Sequence, residues 1–130
     1  MVFISLFSVI SCQVKPKIEK YNITHIHVFY TPFDISFPIG STEEDARLVA
    51  KIELTDTLKI KQIKEEILNL SNSSILDDFY ANNVYLVCDF FSKDKKVFSL
   101  IFDKNTIKIN GKLYKNNTKL INSLISSKKE

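Results

Sequence analysis

His25 and His27 are the side chains of this 130-residue chain best suited to hold a metal or move a proton near neutral pH. They stand at alternate positions in Ile23-Thr24-His25-Ile26-His27-Val28-Phe29-Tyr30, so an extended strand puts both imidazoles on one face, near enough to share an ion. Zinc takes at least three protein ligands in such a site. No other histidine exists and Cys88 reads as buried, so the sequence leads to no metal site and no cofactor. Ile23 and Phe29 share that face, which argues for a partly covered surface.

The other reactive groups are poorly placed for catalysis. A nucleophilic cysteine needs a base and an electropositive setting, and Asp89, next to Cys88, works against both. In Val84-Tyr85-Leu86-Val87-Cys88-Asp89-Phe90-Phe91 an alternating strand turns Cys88 inward as a small apolar filler. Asp77-Asp78 is the only adjacent aspartate pair, but acid–base work needs two carboxylates converging on one substrate. Neighbours in an irregular segment diverge, so these read as a solvated loop. With two glycines there is no phosphate-cradling loop, no Gly-x-Ser-x-Gly and no His-Glu-x-x-His. The expectation is a protein that is not an enzyme, a hydrolase using Asp77, Asp78 or the histidines being the least favoured reading.

The elements that must position these residues follow from periodicity. Residues 23–30 are β-branched and aromatic and read as a strand ended by Pro32. Residues 33–39 alternate too, but Pro38 confines them to an edge strand or an extended loop. Ser41-Thr42-Glu43-Glu44 fits a capping box between Ser41 and Glu44, opening one helical turn through Arg47. Residues 49–54 alternate as a second strand. Thr55-Asp56-Thr57 then opens a helix whose Ile60, Ile63, Ile67 and Leu70 form one stripe. Strands at 84–92 and 96–103 flank Lys93-Asp94-Lys95, and Asn110-Gly111 is a strong hairpin signal between 106–109 and 112–114. Asn116 or Asn117 caps a last helix carrying Leu120, Ile121, Leu124 and Ile125 on one side. The order predicts an α+β fold: an antiparallel sheet with a C-terminal β-meander, and one central and one C-terminal helix packed on one face.

A chain of this length makes one domain, and 45% hydrophobic with 25% charged residues is ordinary globular composition. The net charge of +3 is unevenly spread, because residues 104–130 hold seven lysines against Glu130 alone. Lysines outnumber the single arginine 17 to 1, and arginine is the better bidentate reader of phosphate, so the tail reads as a solvated face with no nucleic-acid role.

Met1 to Ser11 carries no charged side chain, and Cys12 follows at once. An apolar run of about ten residues is too short for a membrane span, which takes roughly 20 in a helix, and it fits the core of a secretory signal. Val9-Ile10-Ser11-Cys12 resembles the lipobox of bacterial lipoproteins: an aliphatic residue, a small or aliphatic one, a small one, then cysteine. The usual early lysine or arginine is missing, and only the amino group of Met1 supplies positive charge there. The resemblance implies cleavage before Cys12 and diacylglycerol on its thiol. It implies a protein of the cell envelope, membrane-anchored by lipid at Cys12 and outer-membrane or periplasm-facing. Residues 1–11 are then a signal peptide, 12–20 a tether and 21–130 a single α+β domain. A Cys12–Cys88 disulfide is the alternative if a different peptidase makes the cut.

The meander supplies the functional expectation. Leu86, Cys88 and Phe90, with Phe98, Leu100 and Phe102, suit the core beneath the helices. The opposite faces carry Tyr85, Val87, Asp89 and Phe91, then Val97, Ser99, Ile101 and Asp103, too apolar for an ordinary solvent face. Either the segment 31–40 or another protein covers them. In the second case Tyr85, Asp89, Phe91, Val97, Ile101 and Asp103 bind a partner, an envelope or secreted protein. The expected function is therefore a small cell-envelope lipoprotein acting as a non-catalytic protein-binding module of an immunity or inhibitor kind. The alternative is a carrier or sensor of a small apolar ligand between the sheet and the C-terminal helix, lined by Phe90, Phe98, Phe102 and Leu124.

Overall fold

A computed structural model describes residues 17–31, 42–71, 84–103 and 106–125. The strand expected at 33–39, Ser41, the Asp77-Asp78 pair, the signal segment 1–11 and Cys12 lie outside the described residues. The described chain forms a six-stranded antiparallel sheet: β1 (His25–Tyr30), β2 (Ile52–Leu54), β3 (Leu86–Ser92), β4 (Lys95–Phe102), β5 (Thr106–Ile109) and β6 (Lys112–Lys115), in the spatial order β2-β1-β3-β4-β5-β6. Three helices complete it: α1 (Glu43–Ala46), α2 (Thr57–Leu68) and α3 (Thr118–Ile125). Strands β3 to β6 are the expected meander, and the fold is α+β.

Local chemistry explains each boundary. Asp56 caps α2 by accepting a hydrogen bond from the Leu58 N–H at 3.1 Å. Ile60, Ile63, Ile67 and Leu70, at helical spacing, are all buried. Asn117 performs the same service for α3, accepting from Leu120 N–H at 2.9 Å, and Leu120 and Leu124 are buried. The turn between β5 and β6 puts Asn110 at φ 50° and Gly111 at φ 80°, the paired left-handed residues that a type I′ turn demands.

Three boundaries differ from the sequence reading. The capping box of α1 uses Thr42 with Asp45, one residue later than expected: Thr42 Oγ1 accepts from Asp45 N–H and Asp45 Oδ2 accepts from Thr42 N–H. Adjacent Ser and Thr followed by three acids satisfy the spacing in either register, so the motif alone does not choose. Strand β2 starts at Ile52 because only Ile52, Glu53 and Leu54 find partners on β1, leaving 49–51 outside the ladder. Ile18 is buried in the main core, and Lys64 Nζ donates to the Tyr21 carbonyl at 2.7 Å. The packed domain therefore takes in residue 18, inside the stretch read as tether. A single apolar residue among lysines carries no periodic signal.

The main core lies between one face of the sheet and the helices α2 and α3. Ile26 and Val28 of β1, Leu86, Cys88 and Phe90 of β3, and Phe98, Leu100 and Phe102 of β4 pack with Ile63, Ile67, Leu120 and Leu124. Burial of side chains this size contributes about 1.5–3 kcal/mol each. A smaller cluster sits on the opposite face, where Ala46 of α1 meets Val84 and Val87, with Phe29 and Ile101 packed against them.

Candidate functional site

The face of the sheet turned away from α2 and α3 carries the chemistry. Its histidines come from β1, where alternation sends Ile26 and Val28 into the core and His25 and His27 to the other side. Antiparallel pairing places Glu53 of β2 directly opposite His27, and Phe91 of β3 directly opposite His25. Ring centroids of His25 and Phe91 are 4.8 Å apart with planes 6° from parallel, and His27 lies 4.5 Å from the same ring. The Glu53 carboxylate approaches His27 Nε2 at 3.7 Å. One ligating atom each from His25, His27 and Glu53 lies within 4.8 Å of the other two. Burial, with Lys51 and His25 nearby, holds the His27 imidazole below its ordinary pKa of 6.5 against the opposing pull of Glu53 and Asp89.

Hydrogen bonding fixes the orientation of His25. The Thr24 hydroxyl accepts from the Lys93 N–H at 2.8 Å and donates to the Phe91 carbonyl at 3.2 Å. The same hydroxyl lies 3.0 Å from His25 Nδ1, within hydrogen-bonding distance.

On the neighbouring strand β3, directly opposite His27, Asp89 is 5% exposed and fully engaged. Arg47, the residue that ends α1, donates from Nε at 3.0 Å and from Nη2 at 2.6 Å, a bidentate grip. Ser99 Oγ donates to the same carboxylate at 2.6 Å, and the Glu43 carboxylate accepts from Arg47 Nη1. Burial alone would raise the Asp89 pKa, but the hydrogen bonds from Arg47 and Ser99 outweigh it and hold the carboxyl below its ordinary range. The same contacts drive the Arg47 pKa upward. Residues 43–47 are thus one internal cover of this face.

The six residues expected to bind a partner divide into two groups. Asp89 is held by Arg47; Asp103, 1% exposed, accepts from both the N–H and the hydroxyl of Thr106. Tyr85 is 6% exposed, lies with Phe102 and Tyr30 in the main core, and burial pushes its hydroxyl pKa up to about 12. These three face other parts of the protein. Phe91, Val97 and Ile101 are partly exposed, Phe91 lying on the two imidazoles, Val97 against the main core and Ile101 against the smaller cluster. Sequence reasoning missed Leu48, 82% exposed just beyond Arg47, because nothing in its local pattern distinguishes it from a core leucine.

Cys88 is a free, fully buried thiol whose pKa burial and the Asp89 charge push well up, which makes it inert. Phe90, Phe98, Phe102 and Leu124, the expected lining of a ligand pocket, are core residues, and Phe90 stacks on Phe98 at 4.4 Å. A shallow groove of about 540 Å³ lies elsewhere, between α2 and α3, lined by Lys59, Thr118, Lys119, Asn122 and Ser123. Among the described residues no helix is long and apolar enough to cross a membrane.

Compared with protein-family models, curated proteins and solved structures, this chain matches none.

Proposed function

We propose that this chain is a small cell-envelope lipoprotein, anchored through Cys12, whose folded domain binds an envelope or secreted protein without catalysis, as an immunity or inhibitor protein does. Val9-Ile10-Ser11-Cys12 supports the anchor. The observation that carries the binding role is the second face of the sheet. There the Arg47–Asp89 pair sits beside exposed Leu48, with Phe29 and Ile101 partly exposed on the strands. Apolar side chains around a rigid charged centre are the ingredients of a protein-binding patch.

The test is affinity capture from envelope fractions with the native chain and with Leu48→Asp and Ile101→Thr. A partner held by the native chain and lost from both variants, at nearly unchanged melting temperature, supports the reading. Equal capture by all three contradicts it. A Cys12→Ser chain is expected to leave the membrane fraction, and its continued membrane association would refute the anchor.

A further inference from the structure

We propose that His25, His27 and Glu53 form a binding site for a first-row divalent transition-metal ion of the zinc type. The proposal stands apart from the protein-binding reading and would survive its failure.

The donor set is chemically apt. Two imidazole nitrogens and one carboxylate oxygen form a three-ligand set that zinc accepts, with a fourth position left to solvent. Backbone geometry supplies the assembly: His25 and His27 are two residues apart on one strand, and Glu53 is the register partner of His27 on the next. Neither relation depends on a flexible loop. Cross-strand partners have Cβ atoms about 5 Å apart, close enough for two side chains to meet one ion.

The distances are close to those that a bound ion requires. A tetrahedral zinc with bonds near 2.0–2.2 Å needs donor atoms about 3.3 Å apart. His27 Nε2 and Glu53 Oε2 stand at 3.7 Å, and the widest separation in the trio is within 4.8 Å. Closing it takes side-chain shifts of about 1.5 Å or less, and the Glu53 side chain is exposed and free to adjust toward the imidazoles.

The surroundings support the ligands as metal sites require. Ligating histidines are normally oriented by a hydrogen bond from the second ring nitrogen. Thr24, itself held by the Lys93 N–H, meets Nδ1 of His25 at 3.0 Å and anchors that ring. The Phe91 ring, against both imidazoles, limits their rotation and walls one side of the site. Glu53 contributes a negative charge beside the imidazoles.

The experiment uses the full chain, stripped of metal with a chelator, titrated with Zn²⁺ by calorimetry and with Co²⁺ by visible absorption. The expected result is one ion per chain and a Co²⁺ spectrum intense enough for four-coordinate geometry. Glu53→Gln keeps size and surface position, so it tests the third ligand without threatening the fold, and it should weaken Zn²⁺ binding at least tenfold. His27→Gln should abolish saturable binding, with circular dichroism confirming that the variant is folded. Absence of saturable binding to the native chain overturns the proposal. So does a Glu53→Gln affinity equal to the native one, which would reduce the trio to two histidines binding any soft ion.

Discussion

On the face beneath α2 and α3, Leu86, Cys88 and Phe90 of β3 meet Leu100, Phe98 and Phe102 of β4 with no charged group among them. On the opposite face the same two strands present Val87, Asp89 and Phe91 beside Ser99 and Ile101, and Arg47 reaches across from α1 to the carboxylate. The first face gains stability from area removed from water, which is non-directional and tolerates small shifts. The second depends on a bidentate ion pair with nearly linear demands on geometry, and it leaves imidazoles, a carboxylate and a leucine at the surface. One face holds the protein together, and the other presents the imidazoles, the Glu53 carboxylate and the Arg47–Asp89 pair.

Substitutions on the two faces sharpen this contrast. The largest effect is expected from Phe90→Ala, which opens a cavity in the main core and should lower stability by about 3–5 kcal/mol in urea unfolding. Arg47→Ala should cost about 2–3 kcal/mol, less than a wholly buried pair because Arg47 itself is partly exposed. Combining it with Asp89→Asn should recover part of that loss, since the cost comes from the stranded carboxylate. Strict additivity of the two would mean that the pair is not coupled.

The smallest effect is on acid stability. Asp89 has a lowered pKa in the folded chain, so its contribution is complete above its ordinary value of 3.8 and disappears as pH falls through the lower folded value. Asp89→Asn should flatten the acid limb of the stability curve, measured against a Phe90→Leu control whose limb keeps its slope.

Much of this architecture was legible in the residues. The stripe Ile60, Ile63, Ile67 fixed α2, Asn110-Gly111 fixed the last hairpin, and alternation in β3 and β4 sorted the two faces. What could not be read was pairing at a distance. Glu53 joins His27 only because β2 lies against β1 in one particular register, and strand order is a tertiary choice. Arg47 finds Asp89 across 42 residues for the same reason. The expected partner surface included Asp89 because alternation tells which face a side chain takes, not whether another element already occupies it; Tyr85 and Asp103 lie just outside β3 and β4, where alternation no longer governs, and turn to the main core and to Thr106.

The most direct test of this division of labour is the histidine and methyl nuclear magnetic resonance spectrum of the metal-free full chain as Zn²⁺ is added. The account predicts saturating shifts at His25 and His27, reaching Thr24 and the Phe91 ring, with Leu100 and Leu124 of the main core unmoved. Shifts centred on the core, on the lysine-rich residues beyond 103, or nowhere would contradict it.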